Sequence, residues 1–440
     1  MGYLINDTGY NNDTIRIGID DEAKRILDDG GSVEGYPSAA DDINDVVTKE
    51  VYDKASVAMY PVAFKAGSLY CQKPTDGTKD FVFSRALDTA TRFDSNGYIT
   101  TSLENTPRLC FFNSLTTPQL LLEPTITNDV EDSEDFSTAY WDATSCDIVP
   151  NGVTTPDGQT NATKIVAQNG TTDFRLRTNT SAGGTINTHS VFIKHIEGGF
   201  DYVVLGSTNP QQRYAFNIAT GSLVGDIGTN NALGASVEGY GNGWYRYSIT
   251  VADSGGGNRF EIYLSDDGTD IVATGDGTKG AYIWGAQREQ GSELLTSYIP
   301  TSGGTATRSA ETATSTNLLN AGDDFTLMVD LEPITRNTTT EQYISGSGDF
   351  GFLDNNGRNV MRYSFNATDY TFDISELGSH KILFRKDSTD YKVYFNGSLA
   401  HTIATLPSGV QDLVLSSGKI NKCLFFSSAL TNTECEALTA

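Results

Sequence analysis

Three stretches of this chain carry acidic or glycine residues at spacings that could do chemistry. In Met328-Val-Asp330-Leu-Glu332 the two acids fall on one face of a strand. Paired carboxyl groups are the minimum for glycoside hydrolysis. Met328 occupies the place where a third acid would complete an E-x-D-x-E run, so the expected arrangement is a solvated strand face, with charged residues alternating outward. Gly346-Ser-Gly348-Asp349-Phe-Gly351 matches G-x-G-x-x-G. A dinucleotide site needs that loop to open a helix, and here it runs into Phe352-Leu353 and a turn. The acidic turn Ser265–Asp270 resembles part of a calcium loop but lacks its bidentate Glu. No G-x-S-x-G occurs, and His189, His195, His380 and His401 have no metal-ligand spacing. Catalytic and metal site residues are therefore none, and no cofactor is expected.

Aromatic residues offer a different chemistry. Sugar rings stack on flat aromatic faces while nearby polar groups bond the hydroxyls. Trp244 and Tyr245 follow the Asn242-Gly243 turn, and Tyr282 and Trp284 stand on another strand-like run. These four are the candidate glycan contacts. A sandwich core or subunit interface needs the same alternation, and that competing reading stays open.

The elements that must position these residues are short strands. The chain has 440 residues, enough at about 150 per domain for two to four domains. Gly supplies 44 residues and Pro 12, and Asn-Gly and Asp-Gly pairs recur at 96, 151, 242, 356, 396, 76, 157 and 267. Such pairs tolerate the positive φ of tight hairpin turns. The clearest hairpin is Tyr391–Ile403, turning at Asn396-Gly397. Other strand-like runs are Ser190–His195, Tyr202–Leu205, Trp244–Val251, Arg259–Leu264 and Ala281–Gly285. This pattern predicts an all-β fold of antiparallel sandwiches. Two polar stretches, Asn128–Asp135 and Thr301–Thr316, read as connections. Thr431-Asn-Thr-Glu434 is a capping box opening a short helix through Leu438.

The N-terminal 60 residues differ. Ile43, Val46, Val47 and Val51 form an apolar stripe at helical spacing, the mark of a docking helix or of a small self-packed hairpin. The domain plan is a helical module over 1–60, a β-rich connector over 61–125 packing on the C-terminal sandwich, a jelly-roll over 126–304 and a second sandwich over 305–440. An echo between Ser84–Arg92 and Thr305–Ala310 suggests that the central block is inserted into the C-terminal sandwich.

A formal charge of −26 opposes phosphate backbones and anionic membranes, so neither nucleic acid nor membrane insertion is expected. The sequence has no run of 18 apolar residues and no secretory pattern at its start. Five cysteines without C-x-x-C spacing read as buried free thiols.

Several phrases in fixed order then carry a resemblance: KAGSLYCQKPTDGTKDFVFSRALDTATRFDSNGYITTSLENTPRL (65–109), LLLEPTITN (120–128), SEDFSTAYW (133–141), GNGWYRYSIT (241–250), AYIWGAQREQGS (281–292) and TSYIPTSGGTATRSAE (296–311). The set resembles bacteriophage virion appendage proteins of the tail-fibre or head-fibre type. That family implies a small N-terminal module, a carbohydrate-binding-module-like jelly roll and a concanavalin A/laminin G-like sandwich. It implies a non-enzymatic virion structural protein, assembled in the host cytoplasm as a homotrimer with other virion proteins and able to touch host surface glycans. A capsid-decorating head fibre without a receptor role, or a glycan depolymerase, are the alternatives. Ile43, Val47 and Val51 would then anchor the chain to the particle. Sandwiches of this class often hold structural calcium in rim loops, which makes Asp323, Asp324 and Asp349 candidate ligands.

Overall fold

The structure is a computed structural model. It describes residues 32–33 and 53–440, except 88, 113–117, 151, 181–185, 229, 254–256, 294, 321, 335–341, 346–350, 355–359, 366–367, 374–377 and 405–409. The expected N-terminal helices, with Ile43, Val47 and Val51, lie outside the described residues, as does Asp349. Within residues 1–52 only the strand Ser32–Val33 is described, paired with Ala63–Phe64.

The described chain is almost wholly β, and its strands build two antiparallel sandwiches. Each follows from period-two alternation, because one face of every strand must find an apolar partner layer. In the first sandwich, one sheet runs from Ala63–Lys65 through Phe81–Ser84, Thr312–Asn320 and Val410–Leu415 to Thr368–Asp373. The facing sheet contains Tyr391–Phe395, His380–Lys386, Phe325–Glu332, Gly418–Phe426, Gln119–Leu122 and Arg108–Cys110. Val57, Phe81, Leu109, Leu120, Leu327, Phe384 and Cys423 share the core between them. Residues 57–122 thus pack in one core with residues 313–425.

The second sandwich has its own core, drawn from residues 130–286. One sheet orders Cys146–Pro150, Thr163–Ala167, Gly280–Gln290, Ile186–Lys194, Trp244–Ala252 and Gly234–Gly239. The other orders Trp141–Thr144, Arg175–Thr178, Phe260–Ser265, Tyr202–Thr208, Gln211–Asn217 and Ser222–Asp226. Each of the five strand-like runs named from the sequence falls on a strand here; three are extended, while Ile186–Lys194 stops short of His195 and Phe260–Ser265 starts after Arg259.

The two stretches read as connections are more ordered than expected. Ile126–Asn128 pairs with Ala306–Arg308, and Asn128 and Ser133 are buried. Their polar groups satisfy one another. Thr127 and Thr307 share a hydroxyl contact at 2.7 Å, and the Thr301 amide donates to Ser133 Oγ at 2.8 Å. Part of the polar composition that suggested a loop is hydrogen-bonded interior, at Asn128, Ser133 and Thr301.

Local punctuation behaves as read. Asn396 and Gly397 have φ of +44° and +81° between paired strands Tyr391–Phe395 and Ser398–Ile403. The capping box at Thr431 opens a helix over Asn432–Thr439. All five cysteines are buried free thiols.

Candidate functional site

The outer face of the six-stranded sheet of the second sandwich is where polar side chains converge. Leu176, Ile262, Leu264, Val203, Leu205 and Phe216 point into the core. Their neighbours Arg175, Arg177, Glu261, Tyr263, Gly206 and Arg213 therefore face outward. Register aligns them into a row, since Asp142 sits beside Arg177, Arg177 beside Glu261, Glu261 beside Gly206, and Gly206 beside Arg213. The row reads acid, base, acid, gap, base. Gly206 makes the gap, and a Cβ there would lie 3.1 Å from Arg213 Cγ.

At one end Arg177 and Asp142 form an ion pair at 2.6 Å. At the centre Glu261 is 2% exposed, with the guanidinium groups of Arg175 and Arg213 each 3.8 Å from its oxygens. That is attraction without a hydrogen bond. Glu261 Oε2, Arg175 Nε and Arg213 Nε are all buried without a hydrogen-bond partner. Arg213 donates to the Tyr263 hydroxyl at 3.0 Å and lies 5.0 Å from the centre of its ring. Burial pushes the Tyr263 phenol up, so it stays protonated. Buried polar groups left unpaired carry a cost of about 1–3 kcal/mol each. Each carboxylate of the row has an arginine within 4 Å.

The aromatic residues singled out from the sequence lie elsewhere. Trp244 and Trp284 are each 1% exposed and pack with Phe192, Ile99 and Tyr298. The Trp244 indole donates to the Thr154 carbonyl at 2.8 Å. Neither indole can present a face to a ligand, so for these two the core reading replaces glycan contact. Their strands sit inside a sheet covered on both sides, where large rings fill volume. Tyr245 and Tyr282 are half-buried, and Tyr245 packs over Gly221.

The carboxylate pair also differs from expectation. Asp330 is 6% exposed rather than solvated. It accepts from Asn421 Nδ2 at 2.8 Å and from the Ser379 hydroxyl. Glu332 pairs with Lys419 at 2.6 Å. Phe325–Glu332 is a central strand covered on both faces, by the sandwich core and by a layer under the C-terminal helix. Asp323 accepts from Asn320 at 2.9 Å, which is turn chemistry, and Asp324 lies 3.9 Å from Lys386. Among the described residues no group of three or more His, Cys, Asp or Glu is placed to hold a metal ion.

Sequence reading passed over Arg175, Arg177, Arg213, Glu261 and Tyr263. Their signal is visible in RLR at 175–177 and EIY at 261–263, charged or phenolic residues alternating with apolar ones. Each run alone reads as a solvated strand face, and only the register makes a row of them.

No family model and no curated protein matches the chain. Solved structures do share parts of its shape. The Ruminococcus gnavus IT-sialidase CBM40 bound to α2,3-sialyllactose is 15% identical, over 27% of this chain and 83% of that one, with a TM-score of 0.22. Domain 4 of the extracellular arabinanase AbnA from Geobacillus stearothermophilus, in complex with arabinotriose, is 16% identical over 34% and 83%, with a TM-score of 0.25. Trypanosoma rangeli sialidase with sialic acid is 12% identical over 63% and 60%, with a TM-score of 0.24. Likeness at this level carries no inference about ligand or activity.

Proposed function

We propose that this chain is a non-enzymatic glycan-binding protein of a virion surface appendage. The observation that carries the binding is the row Asp142, Arg177, Glu261 and Arg213, with Arg175 beside it, charged groups gathered on one sheet face. A saccharide laid across the strands would meet the partly exposed side chains of Asp142, Arg175, Arg177 and Arg213, which offer its hydroxyls charged donors and acceptors. Charge-assisted hydrogen bonds of this kind are about twice as strong as neutral ones. The appendage assignment rests on the ordered sequence phrases. It brings with it a homotrimer, other virion proteins as partners, and residues 1–60 as the particle-proximal anchor through Ile43, Val47 and Val51. The sandwiches would then face the host.

The test is a glycan array probed with the labelled full-length chain, its Arg213→Ala and Glu261→Gln variants, and intact particles. We expect a restricted set of surface glycans to be bound, with at least tenfold weaker binding for either variant and the same set recognised by the particle. A silent array, or unchanged binding by both variants, would sink the reading.

A further inference from the structure

A cleft of 370 Å³ opens where the two sandwiches meet. Its size falls within the ~300–1,000 Å³ of small-ligand sites. We propose that this cleft is a second ligand site, and that its ligand is an uncharged saccharide unit. It shares no residue with the six-stranded sheet face, so it stands or falls independently of that site.

Three parts of the chain supply the walls. Phe93 and Phe112 come from the segment preceding the second sandwich, Tyr240 from the second sandwich, and Glu332 and Lys419 from the first. The Phe93 and Phe112 rings are parallel within 5° at 6.5 Å, and Tyr240 stands at 89° to Phe93 at 5.7 Å. Lys419 Nζ lies 4.7 Å from the centre of the Phe112 ring while pairing with Glu332. An aromatic patch rimmed by charged groups suits a ring with one apolar face and an equatorial belt of hydroxyls.

The floor is polar and hydrogen-bonded. Ser297 Oγ donates to Glu123 at 2.6 Å, and the Arg246 guanidinium donates to the Thr296 carbonyl at 2.6 Å. Around the cleft the cations Arg92 and Lys419 are matched by the carboxylates Glu238 and Glu332, while in the floor Glu123 is engaged by Arg108 and Arg308 and Arg246 faces Glu289. An anionic ligand would meet Glu238 and Glu332 in a chain of formal charge −26. A neutral polyol uses donors and acceptors alike, because every hydroxyl is both. Balance of charge thus selects a neutral sugar over a uronic or sialic acid.

The experiment is calorimetric titration of the full-length chain with the methyl glycosides of glucose, galactose and mannose, and with the methyl glycosides of their uronic acids. Phe112→Ala and Glu238→Gln probe the cleft, Ile334→Trp narrows its rim, and Arg213→Ala is the control on the other face. The melting temperature of each variant is recorded to confirm folding. We expect at least one neutral glycoside to bind, with Kd raised tenfold or more by Phe112→Ala and by Ile334→Trp and at least threefold by Glu238→Gln. Arg213→Ala should leave that Kd within twofold, and the corresponding uronide should bind at least tenfold more weakly. The absence of neutral glycoside binding, indifference to all three cleft variants, or equal affinity for the uronide would each overturn the proposal. Loss through Arg213→Ala alone would assign the binding to the sheet face instead.

Discussion

His189 is a residue whose chemistry burial constrains strongly. It is fully buried beside Phe260, at 4.8 Å between ring centres. Burial, and after it the positive Arg288, press the imidazole down to about 3 from 6.5. The folded protein therefore keeps His189 neutral at pH values where the unfolded chain is already protonated. A histidine with a depressed folded pKa contributes stability that is whole above about 6.5 and is lost as pH falls from there toward 3. Each pH unit in that window is worth about 1.4 kcal/mol. Urea unfolding at pH 7 and pH 5 should show a loss of stability, and His189→Leu should shrink it by about 2 kcal/mol. The same pH dependence in the variant would mean that His189 is not the group responsible. Glu123 acts in a lower window. Burial raises it, but Arg308 and Arg108 outweigh that and hold it at about 2, so its contribution is lost only as pH falls below the ordinary range near 4.5.

At the scale of the element, local signals settle local structure. The Thr431–Glu434 box needs only four consecutive residues. The Thr431 amide donates to Glu434 at 2.8 Å, and Lys54 adds a pair at 2.6 Å. The helix then sets Cys435 and Leu438 against Met328, Leu383 and Leu424. Thr431→Ala removes the cap and should cost about 1 kcal/mol in denaturant unfolding. No change in midpoint would mean that tertiary packing alone holds the helix. The Asn396-Gly397 turn was legible for the same reason as the cap. Asp330 and the polar stretch Asn128–Asp135 were not, because their partners lie far away in sequence. Asn128 Nδ2 donates to the carbonyl of Ile299, 171 residues on. Asp330 is satisfied by Asn421, 91 residues on. Alternation reveals that a strand has two faces, but not whether the polar face meets water or another layer. The arginine row was hidden in the same way, since its members come from four strands spread between residues 142 and 261.

At the scale of the whole molecule, a buried ion cluster sits at the junction where the chain leaves the first sandwich and returns to it. Arg85, Arg108 and Glu123 precede the second sandwich, and Arg308 and Glu311 follow it. Glu311 receives Arg85 at 2.7 Å and Arg108 Nε at 2.8 Å, with a further contact from Arg108 NH2. Arg108 reaches Glu123 at 2.8 Å, and Arg308 reaches Glu123 at 3.1 Å. Arg85, Arg108, Arg308 and Glu311 are 0% exposed. Three guanidiniums thus share two carboxylates out of reach of water, and the buried Glu289 adds attraction for Arg308. Such a group stabilises little over a well-packed apolar substitute, but removing one member strands charge in the interior, at about 3–5 kcal/mol. Glu311→Gln would remove the carboxylate that Arg85 and Arg108 share and leave Arg108 and Arg308 sharing Glu123. We expect it to lower unfolding stability by that amount, and to make the junction segments 85–125 and 295–311 cut faster in limited proteolysis than either sandwich. The cleft between the sandwiches uses Glu123 and Ser297 as floor, so the same variant should weaken neutral glycoside binding without touching binding at the arginine row. If Glu311→Gln instead unfolds both sandwiches together with no earlier cleavage at the junction, the ion cluster is an integral part of one cooperative core rather than a tie between two.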